Sequence, residues 1–164
     1  MPSKEKAQKG KNYLTRLILF SFCPFLGYSV FKDKYIGGIF MLKFYRCKHC
    51  GNLVVMVDDR KVNPFCCGEK MELIIPASVD AAKEKHVPEY KIEKNVVKVC
   101  VGSVAHPMLD NHYIEWVAIE TNKGFALKHL KPGEEPMSEF ALADDEGLVA
   151  VYAYCNLHGL WVKE

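Results

Sequence analysis

Residues 41–76, MLKFYRCKHCGNLVVMVDDRKVNPFCCGEKMELIIP, contain two close cysteine pairs that decide how the first part of the fold is built. Cys47 and Cys50 form a C-x-x-C pair followed by glycine, and Cys66 and Cys67 are adjacent and also followed by glycine. A C-x-x-C-G turn directs two thiolates at one ion, and glycine permits the backbone angle that the turn needs. A segment this short cannot bury a sufficient core alone, so we expect a metal ion or a partner subunit to stabilise it.

The arrangement of the cysteines leaves the identity of the metal open. A structural zinc ribbon usually has two C-x-x-C pairs, and the adjacent Cys66 and Cys67 depart from that pattern. Because neighbouring residues cannot both approach an ion with relaxed geometry, we expect one sulfur–metal–sulfur angle to widen. Tetrahedral sites of four sulfurs suit zinc or iron. Disulfides are disfavoured, since nothing else marks an oxidising compartment. His49 is expected to be exposed, because four thiolates already complete the site.

The remainder of the chain predicts β-structure. Residues 77–83 indicate a linker with one possible helical turn, and residues 84–164 contain short apolar segments separated by turn signals. Apolar and polar residues alternate over Tyr90–Val101 and Tyr113–Ile119. Six or seven short strands in this length favour an antiparallel sandwich, so the fold class is all-β.

The first forty residues differ in character from the rest. They hold 7 Lys/Arg and 2 Asp/Glu, and residues 17–31 are apolar, which is the outline of a signal peptide but too short for a membrane span. Ile36-Gly37-Gly38 can be encoded by ATA GGA GGT, which contains a bacterial ribosome-binding sequence two codons before the codon for Met41. We therefore expect residues 1–40 to lie upstream of the true start at Met41, with a signal peptide or membrane anchor as the alternative.

The amino-acid composition argues against two classes of protein, disordered chains and nucleic-acid-binding proteins. The chain is 49% hydrophobic and 26% charged, which excludes a long disordered protein. Residues 41–164 carry 15 Lys/Arg and 18 Asp/Glu, so a nucleic-acid partner is not indicated.

Four histidines and one cysteine in the second half predict a second metal site. They are His86, His106, His112, Cys155 and His158, and the last two form a C-x-x-H pair beside a glycine. Most of them lie in turn-like contexts at strand ends. Their spacing suits iron, copper or zinc and does not choose between them. His129 and Cys100 are expected to have no metal role, with His129 exposed and Cys100 a small apolar residue.

Several of these motifs are similar to those of desulfoferrodoxin, the two-iron superoxide reductase family. FYRCKHCGN and the Cys66-Cys67 pair resemble its desulforedoxin-type domain. The segments EKHVP (84–88), VGSVAHPM (101–108), HYIEW (112–116) and AYCNLHGLW (153–161) resemble its catalytic domain. The resemblance covers residues 41–164 and implies a desulforedoxin-like domain over 41–76, a linker over 77–83 and an immunoglobulin-like β-sandwich over 84–164.

The resemblance also implies two iron ions in each chain. One would be bound by Cys47, Cys50, Cys66 and Cys67. The other would be bound by His86, His106, His112 and His158, with Cys155 as the axial thiolate and one position open opposite it. Lys85 would attract the superoxide anion, and Glu84 would ligate the oxidised iron after turnover.

The implied reaction is the one-electron reduction of superoxide to hydrogen peroxide without release of dioxygen, which protects an anaerobe from oxidative stress. The implied partners are rubredoxin or a similar electron donor and a second copy of the chain, in the cytoplasm, with no membrane association if the chain starts at Met41. A rubredoxin-like electron carrier, a zinc-stabilised interaction module and a superoxide dismutase are the alternatives. A strong axial thiolate disfavours the dismutase cycle.

Overall fold

Strands make up nearly all of the regular structure in the computed structural model, which describes residues 42–77 and 83–164. The expected leader over 1–40, the start at Met41 and residues 78–82 of the expected linker lie outside the described residues.

Residues 42–77, referred to below as the small domain, form a small three-stranded sheet and a separate hairpin. The strands, in chain order, are β1 (Lys43–Arg46), β2 (Leu53–Met56), β3 (Phe65–Cys66), β4 (Glu69–Lys70) and β5 (Glu72–Ile74). The sheet has the order β2-β1-β5, and β3 pairs with β4. The two-residue strands of the hairpin are too short to leave an alternating pattern in the sequence.

Residues 83–164 form a sandwich of seven strands after one helical turn. The elements are α1 (Lys83–His86), β6 (Pro88–Glu93), β7 (Val96–Val101), β8 (Ile114–Thr121), β9 (Phe125–His129), β10 (Met137–Ala141), β11 (Leu148–Cys155) and β12 (Gly159–Lys163). One sheet has the order β10-β7-β6 and the other β12-β11-β8-β9, with antiparallel neighbours throughout. The all-β expectation is confirmed. The alternating segment Tyr90–Val101 is a hairpin, reversed at Lys94, whose φ is 59°.

The space between the two sheets is filled by aliphatic side chains. Val97, Val99 and Val101 of β7 face Ile119 of β8 and Val151 of β11, and all five are almost fully buried. Burial of this many branched side chains is the main favourable term holding the sandwich together.

The four-stranded sheet is buried on its outer face as well. Phe44 of β1 packs against Trp116 and Tyr152, with ring centroids 4.9 and 5.4 Å away. Arg46 of the same strand donates a 2.5 Å hydrogen bond to the Tyr154 hydroxyl. The simple alternation expected over Tyr113–Ile119 is therefore incomplete, because the small sheet covers the face that would otherwise meet water.

One end of the sandwich collects the segments that carry the histidines. Pro88 at the start of β6 pairs with Val101 at the end of β7, and Cys155 at the end of β11 pairs with Ile114 at the start of β8. The turn from β11 to β12 lies at the same end, since Cys155 also pairs with Gly159. Antiparallel pairing therefore brings residues far apart in sequence to one edge.

Candidate metal centres

Five donor side chains meet at that end of the sandwich. His86 ends α1, His106 follows β7, His112 precedes β8, Cys155 ends β11, and His158 lies in the turn before β12. Each offers one ligand atom, and these five atoms all lie within 4.8 Å of one another. The second group of candidate ligands expected from the sequence is thus assembled in the structure.

The four imidazole rings form a closed cycle. Neighbouring ring centroids are 4.5–4.9 Å apart in the order His86, His106, His112, His158, and the diagonal from His86 to His112 is 6.3 Å. Nε2 of His86 lies 2.9 Å from Nδ1 of His158, and that Nδ1 lies 3.4 Å from Sγ of Cys155. Nitrogens this close, with a sulfur beside them, are the arrangement of ligands around one cation.

Two ring nitrogens of this group support the metal interpretation directly. Within the described residues, Nε2 of His106 and Nε2 of His112 are buried and have no hydrogen-bond partner. A buried polar atom without a partner is costly, and a metal ion would remove that cost. Nδ1 of His106 lies 2.6 Å from the Pro107 carbonyl, so it carries the proton and leaves Nε2 free as a donor to metal.

Hydrogen bonds fix the loops that carry these ligands. His112 and Leu109 exchange backbone hydrogen bonds of 2.9 and 3.0 Å, which hold the short turn before β8. The Asn156 side chain accepts a 3.0 Å hydrogen bond from the Tyr113 amide and donates one of 3.0 Å to the Asn111 carbonyl. The turn between Cys155 and His158 is therefore tied to the segment that carries His112.

Electrostatics in the group favour neutral imidazoles. Burial, with further lowering from the neighbouring histidines, brings the pKa of His106 to about 4, although the hydrogen bond to Pro107 opposes this. Burial, His158 and the Lys85 ammonium lower the pKa of His112. Burial raises the pKa of the Cys155 thiol, and hydrogen bonds from the Leu157 and His158 amides act in the opposite direction. Neutral imidazole is the form that binds metal, and these amides would stabilise a thiolate.

The group is closed on one side and open on the other. His86 and His106 are buried, and the Trp161 indole stacks on His86 at 5.0 Å. His158 is exposed, and so are Glu84 and Lys85 beside His86. The positive charge of Lys85 contributes to the lowered pKa of His112. Glu84 and Lys85, the charged pair that the sequence analysis assigns to the site, are thus exposed to solvent and directly precede a buried ligand, His86.

The four cysteines of the small domain form the other group of candidate ligands. Their sulfurs also lie within 4.8 Å of one another, with 3.5 Å between Cys50 and Cys66 and 3.9 Å between Cys66 and Cys67. Cys67 has a φ of 50°, which turns its side chain toward the same point as that of Cys66. Amide hydrogen bonds, first that of Cys50, lower the pKa of Cys47 to about 6, and the neighbouring thiols raise the pKa of Cys67 to about 12.

Residues expected to play no metal role lie outside both groups. His49 is exposed and lies 3.1 Å from Glu69, His129 is exposed, and Cys100 is half-buried in β7. All six cysteines within 42–77 and 83–164 are free of disulfides. The particular partner of Trp161, His86, and the hydrogen bonds of the Asn156 side chain cannot be predicted from the sequence, because each joins residues whose positions carry no shared pattern. In the described ranges, no helix is long and apolar enough to cross a membrane.

The chain is similar in sequence to known proteins along most of its length. A family model described as desulfoferrodoxin matches residues 78–164. A desulfoferrodoxin homolog of Archaeoglobus fulgidus is 46% identical over 121 residues, covering 74% of this chain and 95% of the relative. A desulfoferrodoxin of Nitratidesulfovibrio vulgaris is 44% identical over 122 residues, with the same coverage of 74% and 95%.

A solved structure gives a matching fold. The superoxide reductase from Treponema pallidum superposes with a TM-score of 0.66 and 37% sequence identity, covering 76% of this chain and 98% of that one.

Proposed function

The chain belongs to the desulfoferrodoxin family, and we propose that it is a superoxide reductase, which converts superoxide to hydrogen peroxide with one electron and two protons. The observation that carries this proposal is the group of four imidazoles and one thiol at the open end of the sandwich. An electron carrier needs no such group in addition to the four cysteines, and a zinc-stabilised interaction module needs no exposed ammonium beside it.

The donor sets fit two iron ions in each chain. His86, His106, His112, His158 and Cys155 would hold one, and the two unpartnered Nε2 atoms are explained by it. Cys47, Cys50, Cys66 and Cys67 would hold the other. Iron held by four imidazoles and a thiolate would supply the electron for reduction of the substrate.

The protein's own residues then have separate tasks. The Lys85 ammonium attracts the anionic substrate to the exposed side of the ring cycle and donates hydrogen bonds there as negative charge develops. Glu84 stands beside it and is proposed as the carboxylate that approaches the site after turnover. Burial raises the pKa of the Cys155 thiol, and the amides of Leu157 and His158 oppose that rise by favouring the thiolate, which is the form that would bind iron.

The supporting roles are proposals of the same kind. Residues 41–76 are proposed as the desulforedoxin-like domain, 77–83 as a linker and 84–164 as the catalytic domain. We propose rubredoxin or a similar small redox protein as electron donor. A homodimer is supported by exposed apolar side chains of the small domain, with Val57 82%, Phe65 65% and Ile75 76% exposed. A cytoplasmic location is supported by the free cysteines, which a reducing compartment maintains.

Product stoichiometry tests the proposed activity. The iron-loaded full chain, with excess reduced rubredoxin, is expected to form one peroxide for each superoxide consumed and no dioxygen. Half a peroxide and half a dioxygen would mean dismutation. If protein that holds both irons consumes no superoxide above background, the electron-carrier interpretation replaces this one. Zinc in place of iron in the isolated protein would favour the interaction module.

A further inference from the structure

The short helix that carries Lys85 and His86 is held by hydrogen bonds from another part of the chain. α1 has only four residues, and a single helical turn is too short to be stable on its own. The Glu84 carbonyl accepts hydrogen bonds from the Val104 amide (3.1 Å) and the Ser103 hydroxyl (3.2 Å). The carbonyl groups at the end of a helix need such external donors.

A third hydrogen bond holds the other end of the same segment. The Gly102 amide donates to the Val87 carbonyl at 3.1 Å, so the turn after β7 ties the backbone on both sides of Lys85. Gly102 has a φ of 86°, and a Cβ there would lie 2.7 Å from the Lys85 carbonyl and 2.4 Å from that of Val104. The two segments touch so closely that only glycine fits at this position.

The tied segment sets where a charged side chain stands. Lys85 lies between the two held carbonyls and directly precedes the buried ligand His86, and its side chain is exposed. A long lysine side chain reaches many positions unless its backbone is fixed. The same turn leads on to His106, whose amide donates back to the Val101 carbonyl at 3.4 Å. The tie therefore also connects two ligand-bearing segments.

We propose that Ser103 is a positioning residue: by holding the Glu84 carbonyl, its hydroxyl fixes the backbone that presents Lys85 to the anionic substrate. This inference rests on the proposed function. The Val104 and Gly102 hydrogen bonds come from backbone amides, which do not depend on the side chain. The third hydrogen bond requires a hydroxyl side chain at position 103. Ser103 is exposed and has no other hydrogen-bond role among the residues described, so its substitution leaves the core intact.

The test compares Ser103→Ala with Ser103→Thr in the iron-loaded full chain. At low ionic strength, the second-order rate constant for superoxide is expected to fall about 2- to 10-fold in Ser103→Ala, as for loss of one hydrogen bond. Its dependence on salt is expected to flatten, because the ammonium no longer stands at a fixed place. Ser103→Thr keeps the hydroxyl and is expected to restore both.

A second readout does not depend on turnover. Hydrogen exchange of the Val104 and Gly102 amides, followed by mass spectrometry, is expected to be about 2- to 10-fold faster in Ser103→Ala. Val104→Ala keeps the backbone amide and removes only an exposed side chain, so it is expected to match the wild type in both measurements. Unchanged amide exchange in Ser103→Ala would overturn the proposal.

A double substitution shows whether Ser103 acts through Lys85. In a Lys85→Ala background, Ser103→Ala is expected to cause no further loss of rate, because the charge to be positioned is gone. Fully additive losses would overturn the proposal. So would a wild-type rate for Ser103→Ala in a protein that reduces superoxide, and the proposed function would then stand. A wild-type protein that does not react with superoxide would overturn both.

Discussion

The exposed side chains beside the ring cycle differ in charge. Lys85 brings a positive charge near His112, and Glu84 brings a negative charge one residue away. The exposed His158 leaves this side open to solvent, while Trp161 closes the opposite side against His86. The proposed attraction of an anion by the exposed Lys85 ammonium acts through solvent, so salt is expected to weaken it.

Lys85→Ala is expected to slow the reaction with superoxide by roughly 10-fold at low ionic strength while the iron content stays unchanged. The physical reason is loss of attraction, since Lys85 is not among the five donors. Stopped-flow or pulse-radiolysis rates over a range of salt concentrations check this. Lys91→Ala removes another exposed lysine, on β6, and is the matched control. An unchanged rate constant at low salt would remove Lys85 from the mechanism.

At the scale of elements, both candidate metal sites are built from turns that strands hold in place. The turn from β11 to β12 carries Cys155 and His158, and Asn156 within it bonds to the strand-entry segment at Tyr113. In the small domain, the β3–β4 hairpin presents Cys66 and Cys67 together. Turns release backbone amides from strand pairing, and those amides then point at sulfur.

Asn156→Ala is expected to weaken iron binding by the five-donor group by about 10-fold or more, because groups that orient ligands matter nearly as much as ligands. The loss of both side-chain hydrogen bonds would free the turn that positions His158. The rate of iron loss to a chelator measures the effect. Asn122→Ala, which breaks a comparable bond to the Gly147 amide at the other end of β8, is expected to hold iron normally.

Cys47→Ser is expected to remove the metal of the four-cysteine site while superoxide reduction continues. Cys47 is the buried member of that group, so its loss leaves three partly or fully exposed thiols. Metal analysis, the visible spectrum and the superoxide rate report the two sites separately. Cys100→Ser lies outside both groups and should keep both metals. Simultaneous loss of the spectrum and the activity in Cys47→Ser would contradict independent sites.

At the scale of the whole molecule, the four-stranded sheet serves two cores at once. Its inner face packs on the sheet β10-β7-β6 through residues such as Val117 and Val151. Its outer face packs on the small domain through Trp116 and Tyr152. The Glu120 carboxylate, buried on the outer face, accepts hydrogen bonds from the Tyr152 hydroxyl (2.6 Å) and the Leu42 amide (3.0 Å). The part of the chain over 42–77 is thereby joined to the sandwich by apolar and polar contacts.

Phe44→Ala is expected to destabilise the sandwich by about 3–5 kcal/mol, although Phe44 lies in the small domain, because it leaves a cavity against Trp116. Both tryptophans of the chain, Trp116 and Trp161, belong to the sandwich, so denaturation followed by tryptophan fluorescence reports on it. Phe125→Ala removes a 40% exposed ring and should have a small effect. A wild-type fluorescence transition in Phe44→Ala would mean that the domains unfold independently.

The donor groups could be predicted from sequence because turn-borne ligands keep short, regular spacings, as in C-x-x-C at Cys47 and C-x-x-H at Cys155. The strands of the sandwich were predicted for the same local reason. The double burial of β8 could not be predicted, since it depends on residues 42–77 covering one face of the sheet. The bond from Ser103 to Glu84 likewise joins residues 19 positions apart without any repeat or motif.

The doubly buried sheet has a consequence for anyone wishing to shorten this protein. Cutting the chain at the linker would keep all five donors. It would also expose a contiguous apolar surface formed by Trp116, Ala118, Ala150, Tyr152 and Leu160. An exposed apolar surface of this kind promotes aggregation. A minimal enzyme cut from this chain would therefore need polar replacements on that face before it needed any change at the site.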